Sequence, residues 1–137
     1  MKKKYPIFLL WLLPIFSFSQ IKKHPIDLSF ITNYQVKVGY YFTIDSIDFE
    51  KNQYILVLSQ TKQKAIIQFK NDKNSTILKL YKSKQNLDKY LATYKDNSYI
   101  LYIDVDEEKK GISTFYKGTI EIIYKNTHKK YHIHGFF

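Results

Sequence analysis

The sequence predicts a mainly β fold, a small antiparallel, partly closed barrel or strongly curved sheet carrying one amphipathic helix. Three observations predict it. Apolar residues recur at every second position over long stretches. Runs of strand length rich in Ile, Leu, Val, Tyr and Phe alternate with connectors of Asn, Asp, Lys and Gln. A single segment has a helical period instead.

The first element is a leader. "MKKKYPIFLLWLLPIFSFSQ" places Lys2, Lys3 and Lys4 ahead of an apolar run from Ile7 to Phe16, followed by Ser17-Phe18-Ser19. Charge, greasy run and small residues in that order are the parts of a secretory signal, with the cut expected before Gln20. The run is well short of the ~20 residues that span a bilayer. Residues 1–19 are therefore expected to be removed and 20–137 to form one small domain, periplasmic or secreted and without a transmembrane span. No cysteine stands near the cut to carry a lipid.

The mature segment has no cysteine at all, so neither disulfides nor thiol chemistry is open to it. Taking the three leader lysines from the formal charge of +10 leaves +7. Every basic residue is lysine, a point charge without the planar fork that reads phosphates and guanine edges. The lysines scatter through turns such as "TKQK", "NDKN" and "THKK". That distribution fits a solvated surface, argues against an intracellular nucleic-acid partner, and leaves an envelope protein or an anionic glycan as the partners to consider.

From Leu28 to Ile44 the even positions are almost all apolar, which marks strands with one buried face, broken near Asn33 or Gly39. The apolar parity changes at Ile47 and Phe49, so a bulge is expected around Asp45-Ser46. "YILVLS", "AIIQF" and "TILKLY" follow as strands joined by polar turns. The near-continuous run from Tyr54 to Leu58 implies a strand covered on both faces. In "SKQNLDKYLATY", Leu87, Tyr90, Leu91 and Tyr94 fall at i, i+3, i+4 and i+7, predicting the helix. Strands return with "SYILYIDV", then a polar loop "DEEKKG", then 112–124 and 131–137. The predicted order is β-β-β-β-α-β-β-β. At the level of architecture alone it resembles an oligonucleotide/oligosaccharide-binding (OB) barrel, a likeness that carries no function by itself.

Two sets of residues are candidates for a site. A hairpin turning at "KNTHKK" and centred on Thr127-His128 would set Tyr124 opposite Tyr131 and Glu121 opposite His134. Glu121, His132 and His134 would then share an outer face, as ligands for zinc or another divalent ion or as ordinary cross-strand partners. Tyr102 and Tyr116 are the candidates for an aromatic ligand-binding patch beside lysines. Asp104, Asp106 and Glu108 have the odd spacing of a calcium loop. Lys109 stands where the loop needs Gly, and Phe115 where it needs the closing Glu, so a charged connector is expected instead.

Catalytic signatures are missing. The sequence has no G-x-S-x-G elbow, H-E-x-x-H pair, P-loop or dinucleotide fingerprint, and only four glycines. The expected function is that of an exported, non-catalytic binding or envelope-associated module, with no cofactor. The alternatives are a metal-binding protein or metal-dependent enzyme using the His-x-His hairpin, and a binder of acidic polysaccharide or another polyanion through Lys and Tyr.

Overall fold

The structure, a computed structural model, describes residues 26–137. The leader and the cut before Gln20 lie outside the described residues. From Val38 onward the period-two pattern becomes eight strands: β1 Val38–Ile44, β2 Leu56–Ser59, β3 Lys64–Ile67, β4 Thr76–Asn86, β5 Lys89–Lys95, β6 Tyr99–Lys110, β7 Ser113–Tyr124 and β8 Thr127–Phe136. Each pairs antiparallel with its neighbour in sequence, and β1 closes on β8 through Tyr41↔Phe136 to Ile44↔Ile133. The result is a closed up-and-down barrel. Because no connection crosses over, it does not follow the Greek-key plan of the OB barrel.

The predicted amphipathic helix is absent. Residues 83–94 form the end of β4, a two-residue turn at Leu87-Asp88, and most of β5. The helical stripe was one of two periods present in the same residues. Tyr90, Ala92 and Tyr94 also alternate, and all three are buried on the inner face. Ala92, small and only weakly apolar, hid that period. Pairing of β5 along its whole length with β4 and β6 then overrides helix propensity. Among the described residues the sole helical turn is 3-10, Phe49–Lys51.

Three smaller expectations also change. No bulge forms at Asp45-Ser46; β1 ends at Ile44 and the chain leaves the sheet in a turn closed by Ile47 N to Ile44 O at 2.9 Å. The ladder irregularities lie instead at Gly39 and at Tyr81. "DEEKKG" is not a loop: β6 and β7 run on to a turn at Gly111-Ile112, with Glu107 opposite Tyr116 and Glu108 opposite Phe115. Residues 26–36, of which 28–36 are expected as strand, make one isolated bridge, Leu28↔Phe69, and otherwise run irregularly over the barrel.

That irregular segment explains the two-sided burial of β2. Inside the barrel lie Phe42, Leu56, Leu58, Ile67, Leu78 and their partners. Outside, Val57 and Ile66 pack with Ile31 and Tyr54 in a second cluster, against Val36, Val38, Tyr41 and Phe136. The backbone is tied down at Ile31 N to Tyr54 O and Ser29 N to Gln68 O, both 2.8 Å. The Gln68 side chain accepts from Thr32 N at 2.9 Å and donates to Asp72 O at 3.0 Å. All four residues of β2 are buried, as the run of apolar residues predicted.

Candidate functional site

An eight-stranded barrel is just wide enough to be filled by its own side chains or to hold one small ligand. Which of the two applies differs between its ends. One end carries the β2–β3, β4–β5 and β6–β7 turns, and the other carries the β1–β2, β3–β4, β5–β6 and β7–β8 connections together with residues 26–31.

The first end is sealed by tyrosine and lysine. Lys62, in the β2–β3 turn, places Nζ 4.8 Å from the centre of the Tyr40 ring and 4.5 Å from that of Tyr90. Tyr94 donates to the Lys62 carbonyl at 2.7 Å, and its hydroxyl lies 2.8 Å from that of Tyr90. Tyr116 packs edge-on against Tyr40 at 5.9 Å. Burial holds the Lys62 ammonium below its usual range, with Glu107 opposing that shift. Burial likewise pushes the Tyr94 and Tyr116 hydroxyls well above theirs. A cation between two ring faces is a favourable arrangement where water is excluded. It also closes this mouth.

The opposite end holds a cavity of about 330 Å³ lined by Leu28, Phe30, Ile44, Ile55 and Tyr131, with Ser29 and Lys70 also on its walls. Its walls come from β1, β8, the β1–β2 and β3–β4 connections and the irregular segment, which crosses the barrel mouth here. The polar node beside it is ordered. The Tyr131 hydroxyl accepts from Leu28 N at 2.8 Å. Lys129 lies with Nζ 5.4 Å from the Tyr131 ring centre and is paired with Asp27. A hydrogen bond from Lys129 holds the Asp27 carboxyl below its usual range, and Lys70 adds to that effect. Two lysines and one carboxylate leave this rim with a net positive charge.

The residues singled out from sequence are placed apart. Tyr102 stands on the outer face of β6, 42% exposed, whereas Tyr116 is 6% exposed and faces inward as part of the sealed end. The two rings therefore belong to different surfaces. At the β7–β8 hairpin the turn is Lys125-Asn126, so Tyr124 faces Thr127, Glu121 faces Lys130, Thr119 faces His132 and Lys117 faces His134. The expected pairing of Glu121 with His134 is corrected by four residues. The physical reason is that such a shift leaves every side chain on the same face, so the hydrophobic pattern cannot distinguish the registers. Glu121 instead meets His128 Nδ1 at 3.1 Å, and His134 Nδ1 lies 3.1 Å from Asp45. His132 is exposed. Among the described residues no group of three His, Asp or Glu side chains is placed to hold a metal ion. Asp104 and Asp106 both reach Lys89, at 2.9 and 3.2 Å.

The cavity residues were not singled out from sequence. Leu28, Phe30 and Ile44 fall on the apolar side of the period-two pattern, but nothing in that pattern shows that a barrel end is left unfilled. The usable signal was the eleven-residue stretch from Ile26 to Val36, too apolar for a free connector. Comparison with protein families, with curated proteins and with solved structures found no match to this chain.

Proposed function

We propose that this chain is an exported, non-catalytic binding barrel that takes a small ligand with an apolar body and an anionic head at the Leu28–Tyr131 end. The observation that carries the reading is the cavity itself, apolar-walled and set beside a rim with two lysines and one carboxylate. Its volume lies at the small end of ligand pockets, which run from about 300 to 1,000 Å³. The walls favour a hydrocarbon body. Lys70 supplies the charge for the head, and Tyr131, whose oxygen already accepts from Leu28 N, has its hydroxyl proton left to donate.

Displacement of an apolar fluorescent sulfonate tests this. Decanoate is expected to displace it saturably at one site, decanol more weakly, and decyltrimethylammonium least. Lys70→Glu is expected to lower decanoate affinity by about tenfold, the order of one partly exposed charge-assisted contact. Ile55→Trp, which fills the cavity, is expected to abolish displacement. Equal competition by the cationic surfactant would refute the assignment of the head group.

A second reading is favoured by one outer surface. Lys82, Thr93 and Tyr102 lie in one cross-strand row, and Lys79 faces Lys95, whose Nζ sits 3.8 Å from the Tyr81 ring centre. Tyr81 and Tyr102 are both well exposed. The row continues from Tyr102 to Glu121, so the positive part of this face is the Lys79–Lys95–Tyr81 corner with Lys82, and rings beside three lysines there suit an acidic polysaccharide. Retention on a sulfated polysaccharide should then fall steeply with salt and drop further in Tyr81→Ala and Tyr102→Ala, beyond what net charge explains.

A further inference from the structure

The sealed end of the barrel carries two side chains that its packing does not explain. Leu87 is 91% exposed and Ile112 is fully exposed, each in the two-residue loop of a hairpin. Leu87 also has a φ of 54°, in the left-handed region where Asn or Gly is at ease and a leucine is strained. A turn selected for folding would place neither residue there. The hairpins are neighbours: Lys89 faces Asp106 across β5 and β6, Glu107 N donates to Asp88 O, and the β6–β7 hairpin runs on past that contact to Ile112.

Charge at this end is positive on balance. Its acids are Asp88, Asp104, Asp106, Glu107 and Glu108; Lys89 bridges two of them, and Lys109 and Lys110 pair with the two glutamates. Lys84 and Lys117 are further exposed cations on the same two hairpins, and exposed Lys37 and Lys64 stand by the β2–β3 turn of the same end. We propose that this end docks on an anionic lipid bilayer, with Leu87 and Ile112 entering the headgroup layer and the lysines meeting phosphates. Two isolated aliphatic tips fall far short of the ~800 Å² per partner of a stable protein interface. They are also convex, so a protein would need two matching sockets, whereas a lipid surface yields to each tip separately. Interfacial lysines add attraction to anionic headgroups.

The absence of cysteine allows the test to be local. Full-length chains carrying Leu87→Cys, Ile112→Cys or Asn126→Cys are labelled with an environment-sensitive dye and mixed with phosphatidylcholine vesicles, with and without phosphatidylglycerol. The expected result is a blue shift, quenched by brominated phospholipid, at positions 87 and 112 but not at 126, requiring phosphatidylglycerol and reversed by salt. Affinity of the leader for vesicles would not produce that difference between ends. Leu87→Asn with Ile112→Ser is expected to weaken tip-dependent binding about tenfold or more. Asn suits the left-handed loop, so loss of folding would not account for the change. Equal responses at all three positions, equal docking on phosphatidylcholine alone, or a tip response to a protein but not to vesicles would overturn the proposal. Ligand displacement at the opposite end reports on a separate cavity and is expected to be unchanged in the double variant.

Discussion

At the scale of single residues, two positions show how tightly closure constrains the chain. Gly118 sits where β7 meets β6 opposite Val105, and a Cβ there would stand 2.0 Å from the Asp104 carbonyl oxygen and 2.7 Å from Val105 Cα. Both obstacles are backbone in a paired strand, so neither can turn aside. Gly118→Ala is expected to destabilise by more than about 2 kcal/mol, as overpacking against an immovable neighbour does, measured as a fall in the urea midpoint. Thr43 carries the opposite defect. It is fully buried, and its Oγ1 has no hydrogen-bond partner among the described residues. Thr43→Val keeps the shape and removes the orphan hydroxyl, so stability is expected to rise by about 1 kcal/mol. A fall would mean that the hydroxyl is satisfied in solution.

At the scale of elements, the β4–β5 hairpin holds the sealed end together. Tyr94, inward on β5, reaches across the barrel to the Lys62 carbonyl in the β2–β3 turn, thirty-two residues earlier. Tyr94→Phe keeps the ring and loses that bond and the contact with Tyr90, a loss of about 1–2 kcal/mol. Amides of the β2–β3 turn are expected to exchange faster while those of β6 and β7 do not. This hairpin is also where the sequence misleads most, because 87, 90, 91 and 94 satisfy a helical stripe as well as a strand pattern. Elsewhere the alternation was legible, since inward Leu101, Ile103 and Val105 alternate with outward Tyr102, Asp104 and Asp106. The double cover of β2 was legible from the opposite pattern, an unbroken apolar run from Tyr54 to Leu58. Register was not, because Glu121 stays on its face whether it meets Lys130 or His134. The cavity was illegible too, since it depends on where residues 26–31 cross the barrel, which local pattern does not encode.

At the scale of the whole molecule, the two faces of the sheet differ sharply in character. The interior holds Ile, Leu and Tyr, while Lys79, Lys84, Asp104, Asp106, Lys117 and Lys130 line the exterior. With a tyrosine-rich interior, high pH is the condition to which the fold should be most sensitive. Burial raises the hydroxyls of Tyr90, Tyr94 and Tyr116, and pushes Tyr99 up to about 12. In the unfolded chain these groups ionise near their ordinary value of about 10. The folded state therefore holds protons that the unfolded state has already released. Their contribution to stability is complete below about pH 10 and is lost as pH rises toward the folded values. For Tyr99 that window runs from about 10 to about 12. The urea midpoint should accordingly fall once pH exceeds about 10, and phenolate absorbance of the inward tyrosines should appear together with loss of β-sheet circular dichroism. If all tyrosines titrate near pH ~10 while the circular dichroism is unchanged, the interior is open to water and the sealed end is not closed.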